Sequence, residues 1–178
     1  MIIRNLVFLA KIQPLKKKSR QMLIFNSPQD IIAHIGQEIG PSPWMIIDQK
    51  MVDQFAKLTG DQQWIHVDQS RSESESPYGK TIVHGFLLLS LTSKFIDTLV
   101  RSEKLRVINC GLDRVRFYSA APTNSRIRMK MTYLSALPID DKLRMTTKVV
   151  FESEGQSAPA MEAKLVYLLY FNGDRAND

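Results

Sequence analysis

Three stretches in the second half of the chain alternate apolar and polar residues. Ser125–Leu134 sets Ile127, Met129, Met131 and Tyr133 against Arg126, Arg128, Lys130 and Thr132. Lys142–Glu152 sets Leu143, Met145, Thr147, Val149 and Phe151 against Lys142, Arg144, Thr146, Lys148 and Glu152. Met161–Phe171 repeats the spacing with Met161, Ala163, Leu165, Tyr167, Leu169 and Phe171. Such alternation marks antiparallel strands with one face buried and the other in water. Arg106–Ser119 predicts a less regular strand around Gly111, and Trp44–Ile47 a short one.

Ahead of these strands the pattern is helical. Ser27 suits a helix N-cap, with Pro28 at the first helical position and Asp30 in the first turn; the helix would stop near Gly36 or Gly40. Asp48 caps a second predicted helix over about Lys50–Leu58, with Met51, Phe55 and Leu58 on one face. Gly60–Lys80 is polar, and its SRSESESPYG portion predicts a loop. Thr81–Val100 then predicts a helix apolar on nearly all sides, which in a soluble protein means a buried helix. About five antiparallel strands around one long buried helix make an α+β single layer, whose open edges favour a homodimer or a higher homo-oligomer.

Composition sharpens this picture in three places. The chain has 178 residues, 44% of them hydrophobic and 24% charged, ordinary for one globular domain. Its longest apolar-rich run, Thr81–Leu91, is broken by His84, Gly85 and Ser90, so no membrane span is expected. The single cysteine, Cys110, excludes an intramolecular disulfide and a Cys-rich zinc site; it suits a core position in a cytoplasmic protein. The net charge of +6 comes entirely from residues 1–21, which hold Arg4, Lys11, Lys16, Lys17, Lys18 and Arg20 and no acid. The rest is neutral, which argues against nucleic-acid binding. Residues 1–21 are expected to be a basic, disordered extension, with Met22 a natural start of a domain over 22–178. A secretory signal would place its charge first, and a mitochondrial leader would be richer in Arg and Ser.

The candidate chemistry lies in two polar blocks, FAKLTGDQQWIHVD at 55–68 and YGKTIVHGF at 78–86. Asp61 follows a glycine at a helix end, and His66 sits between Ile65 and Val67. A carboxylate and an imidazole brought together can hold one water and move its proton near neutral pH. The spacing alone favours the plainer reading, an Asp turn plus a histidine packed beside Trp64. His84-Gly85 opens the central helix, whose first N–H groups have no intrahelical partners. Glycine there would let a carbonyl reach the backbone as in an oxyanion site, or would serve only close helix–strand packing. Asp61, His66 and His84 lack any metal-motif spacing, and no glycine-rich phosphate loop is present. Arg126, Arg128, Lys130, Arg144 and Lys148 predict a solvated face.

The two blocks together, FAKLTGDQQWIHVD and SPYGKTIVHGFLLLSL, resemble the motif of MaoC-like, hot-dog-fold (R)-specific enoyl-CoA hydratases, and most of all the nodulation protein N-like branch with its GD-x-QWIH-x-D string. The resemblance spans roughly Gln37 to Tyr170 and includes GLDRVRF and SRIRMKM. It implies Asp61 and His66 as catalytic residues, the Gly85 N–H as the group that binds the thioester oxygen, and His84, Ser93 and Phe86 as further site-lining residues. The implied activity is hydration of trans-2-enoyl thioesters of CoA or acyl-carrier protein, or the reverse dehydration, with no metal or redox cofactor. A hot-dog acyl thioesterase and a non-catalytic acyl-thioester-binding dimer are the alternatives.

Overall fold

Capping residues set where the first helices begin. The computed structural model describes residues 22–171, so the extension expected over residues 1–21 lies outside the described residues. After β1 (Leu23–Ile24), α1 (Pro28–Ile32) opens with a capping box. Ser27 Oγ accepts from the Asp30 N–H at 3.3 Å, and the Asp30 carboxylate accepts from the Ser27 N–H at 3.0 Å. The helix ends at Ile32, earlier than the glycines at 36 and 40 suggest, and a short β2 (Glu38–Ile39) follows. β3 (Met45–Ile46) occupies the strand predicted at 44–47. Asp48 caps α2 (Gln49–Thr59) by accepting from the Met51 N–H at 2.9 Å. The buried stripe of α2 is Val52 and Ala56; Leu58, expected beside Met51 and Phe55, stands on the far side and is 84% exposed.

Two expectations for the middle of the chain need correction. The polar stretch at 60–80 contains α3 (Trp64–Val67) and α4 (Gln69–Glu75). Asp68 caps α4 by accepting from the Arg71 N–H, Arg71 pairs with Glu75 one turn on at 2.8 Å, and Ser72 is buried. Cap and pair give a solvent-facing helix where composition alone suggests a loop. The helix expected over 81–100 starts later and is broken: α5 (Gly85–Ser90) and α6 (Thr92–Ile96) meet at Leu91. Residues 81–84 are held extended because their backbone groups bond elsewhere. The Ile82 N–H donates to Ile65 C=O at 3.0 Å, the Val83 N–H to Ala121 C=O at 2.8 Å, and Thr81 C=O accepts from the Thr123 N–H at 2.9 Å. Nor is the helical stretch buried all round. Leu87, Leu88, Thr92, Phe95 and Leu99 face the core, while Phe86 is 67% exposed.

The strands follow the predicted alternation closely. β4 (Val100–Arg101) pairs in parallel with β1, and the long strands are β5 (Leu105–Phe117), β6 (Arg126–Ile139), β7 (Lys142–Ser153) and β8 (Met161–Phe171). The main sheet runs β2-β6-β7-β8-β5, antiparallel throughout, and β3 shares with β2 the outer edge of β6. Six strands thus make a sheet five strands wide, the expected α+β layer. Its inner face buries Met129, Met131, Val149, Phe151, Met161 and Leu165 against the helices, with Phe95 edge-on to Phe151 at 5.2 Å. On the outer face Glu152 accepts from Arg128 at 2.6 Å and lies 3.1 Å from Lys130, while Arg126 pairs with Glu154. These charges form the solvated face the sequence predicts.

β5 is different. It is an edge strand with its ladder shifted between Asn109 and Gly111, and Val107, Ile108, Leu112 and Phe117 are each 44–52% exposed. Cys110 sits at that bulge and is exposed, not in the core as expected, because the shift leaves it outside the ladder. No helix of the described residues is long and apolar enough to cross a membrane.

Candidate active site

The polar groups singled out in the sequence converge where the end of α2, α3 and the start of α5 meet. Asp61 is aimed by the helix end before it. Gly60 takes the left-handed conformation, φ +79°, that lets the chain leave α2 sharply, and its N–H closes on Ala56 C=O. The Thr59 hydroxyl donates to Phe55 C=O at 2.8 Å and accepts weakly from the Asp61 N–H at 3.4 Å. The Asp61 side chain is left 53% exposed at the mouth of the site.

His66 and His84 are both buried, at 7% and 2% exposure, and their rings stack at 3.7 Å between centroids with planes 23° apart. His66 Nδ1 lies 2.7 Å from Ile82 C=O. A carbonyl only accepts, so Nδ1 carries the proton and Nε2 presents its lone pair to the site. Burial pulls the His66 pKa below the usual 6.5; the Ile82 bond and the Asp61 charge oppose that pull, and His84 adds to it. His84 Nε2 donates to the Asp61 backbone C=O at 3.0 Å and stands 3.9 Å from its carboxylate. His84 Nδ1 is buried without a partner among the described residues. Asp61, His66 and His84 each offer one atom within 4.8 Å of the others, a separation that one bridging water or one cation spans.

Gly85 follows directly as the first residue of α5, where its N–H has no intrahelical acceptor. Its lack of a side chain answers a contact as well. A Cβ at Gly85 would lie 2.8–3.0 Å from three ring carbons of Phe117, so the end of β5 packs onto this backbone. The close packing that glycine permits is therefore present, beside an N–H that no carbonyl of its own helix accepts. Phe86 turns outward and meets Phe117 edge-on at 6.1 Å. Ser93, further along, borders a cavity of about 650 Å³; Asp61, His66, His84 and Gly85 are not among its lining residues.

Several supporting residues carry no signal in the sequence. The Gln49 amide donates to His66 C=O at 2.7 Å and to the Asp53 carboxylate, and its oxygen accepts from the Thr81 hydroxyl at 2.6 Å. The Thr81 hydroxyl lies 2.6 Å from that of Thr123. Gln49 thus ties α2 to α3 and to the extended segment that presents His84. Nothing in an ordinary first-turn glutamine announces that role.

Comparison with known proteins gives the family and the fold. The sequence profile of the MaoC-like domain family matches residues 30–155. Nodulation protein N of Rhizobium leguminosarum bv. viciae is 40% identical over 146 residues, covering 80% of this chain and 91% of that protein. The 3-hydroxyacyl-thioester dehydratase Z of Mycobacterium tuberculosis is 36% identical over 148 residues, 82% of this chain and 97% of the relative. Among solved structures, the (R)-hydratase of A. caviae involved in PHA biosynthesis superposes with a TM-score of 0.60 at 20% identity, over 75% of this chain and 94% of its own. The shared architecture is the hot-dog fold.

Proposed function

The chain belongs to the MaoC-like domain family, and on that premise we propose that it catalyses (R)-specific hydration of trans-2-enoyl thioesters to 3-hydroxyacyl thioesters, or the reverse dehydration. The observation that carries this reading is the meeting of a neutral imidazole, an exposed carboxylate and an open helix-start N–H at one place. The thioester carbonyl sits at the Gly85 N–H, which stabilises the negative charge that develops as the enolate forms; such a donor is typically worth ~10²–10³ in rate. Asp61 and His66 hold a water between them. His66 Nε2, freed by the Nδ1 bond to Ile82, takes its proton as hydroxide adds to C3, and a proton is returned at C2. Dehydration retraces the same steps. No metal or redox cofactor enters this scheme.

The carrier is CoA or an acyl-carrier protein, and the single, unpaired Cys110 is in keeping with a cytoplasmic site of action. The exposed apolar edge at β5, next to Phe86 and Phe117, supports a homodimer with the site beside its interface. Purified protein should hydrate crotonyl-CoA or a longer enoyl-CoA, followed as loss of the enoyl-thioester absorbance. Inertness across chain lengths on both carriers would overturn the proposal, as would release of free thiol alone, the mark of a thioesterase.

A further inference from the structure

The inner face of the sheet carries three hydroxyls where its neighbours are apolar. Tyr133 of β6 lies directly opposite Thr147 of β7, and Tyr167 of β8 lies opposite Met145, one pleat along. The three therefore form a single cross-strand patch. All are buried, at 2%, 0% and 6% exposure. Among the described residues Thr147 Oγ1 has no hydrogen-bond partner, and no hydrogen bond there reaches either phenol. Burial pushes the Tyr167 hydroxyl up to about 12 and Tyr133 higher still, so both remain protonated donors. Buried polar groups are paired as a rule, and a group without a partner leaves its desolvation uncompensated.

The same three residues line the cavity of about 650 Å³ that Ser93 borders, a volume in the range of small-molecule sites. Around them the buried walls, Phe25, Ile31, Met131, Met145 and Leu169, are apolar, while exposed Asp97, Arg101 and Asn109 make its rim polar. Ser93 stands about 12 Å of helix beyond Gly85. An acyl chain whose thioester is held at Gly85 and which follows the helical stretch would reach the hydroxyls with its distal part. A plain alkyl tail would leave all three unpaired, whereas an oxygen on the tail would satisfy them.

We propose that this cavity selects acyl chains bearing a hydrogen-bonding oxygen, a hydroxyl or carbonyl, on their distal part, and that Tyr133, Thr147 and Tyr167 are its specificity residues. The inference rests on the enoyl-thioester reading above and adds the chemical class of the chain. The test uses trans-2-enoyl-CoA thioesters in pairs matched for length, one with a methyl terminus and one hydroxylated there. The wild type should favour the hydroxylated partner at least about tenfold in kcat/KM, since a site built to pair an oxygen rejects the analogue lacking it. Tyr133→Phe, Tyr167→Phe and Thr147→Val remove only that pairing, and each should bring the ratio towards unity while melting temperature holds. Equal or better turnover of the plain chain by the wild type would mean that water serves these hydroxyls, and would overturn the proposal. So would a preference that survives in all three variants.

A second arm separates this inference from the reading beneath it. Saturated acyl-CoA pairs cannot be hydrated, and their binding is measured by calorimetry. Should no enoyl thioester turn over, the hydratase reading fails. Tighter binding of the oxygenated saturated partner, lost in the variants, would still support the cavity assignment; equal binding would overturn it.

Discussion

His66 owes its proposed part in the chemistry to what surrounds it. A buried imidazole whose Nδ1 proton is committed to Ile82 C=O can accept at Nε2 only while it is neutral, and burial favours that state. Because the folded pKa lies below the unfolded 6.5, the unfolded chain binds the proton first as pH falls. Stability from this group is complete above about 6.5 and declines below it. The acid limb of kcat/KM should accordingly have its midpoint below 6.5, and melting temperature should fall over the same range, less steeply in His66→Ala. Asp61→Ala and His66→Ala should each lower hydration at least about a hundredfold with the fold retained, as circular dichroism would verify. Gln49 acts through others. Gln49→Leu removes its bonds to His66 C=O and Thr81, and should cost roughly tenfold in kcat with a displaced pH profile, whereas a purely structural role would lower only melting temperature. Asp61 and His66 were legible because they stand in one contiguous string, GDQQWIH. Gln49 and Thr81 were not, since their bond joins positions far apart in the chain and uses side chains common on any surface.

At the level of elements, the site depends on how β5 meets α5. Phe117 fills the space that a side chain at Gly85 would need. Gly85→Ala should destabilise by about 1 kcal/mol, the low end for overpacking, because the half-exposed Phe117 ring has room to swing. Phe117→Leu on that background should restore the melting temperature; if it does not, the strain at Gly85 lies elsewhere. Activity of the pair reports separately on the N–H, which alanine keeps. The strands were the part of the fold most open to sequence reasoning. A pleated strand sends alternate side chains to opposite faces, so Ile127, Met129, Met131 and Tyr133 reveal their burial by spacing alone. The central helix misled for a related reason. An apolar residue such as Phe86 signals that it will be covered, and says nothing of whether its own chain does the covering. α4 was missed because Ser, Glu and Arg suggest a loop by composition, while the Asp68 cap and the Arg71–Glu75 pair act by position.

For the whole molecule, the unanswered surface is the β5 edge. Val107, Ile108, Leu112 and Phe117 expose about half their area along a strand that has, among the described residues, no neighbour on its outer side, and Phe86 adds a further apolar ring beside them. A long apolar edge left open is an aggregation hazard, which natural sheets avoid by pairing or covering it. A second copy pairing β5 to β5 about a two-fold axis covers both edges with one self-complementary surface. It would also close over Phe86 and over Phe117, the ring that packs on Gly85. Sedimentation should therefore find a dimer at micromolar concentration. Ile108→Asp places a charge in the middle of that surface and should weaken dimerisation at least about a hundredfold, since an unpaired buried carboxylate is costly. Hydration activity should fall with the dimer and return when protein concentration is raised, a dependence that damage confined to one chain would not show. A wild type that is monomeric and fully active would instead mean that the exposed edge serves another partner, and that the site of one chain is complete.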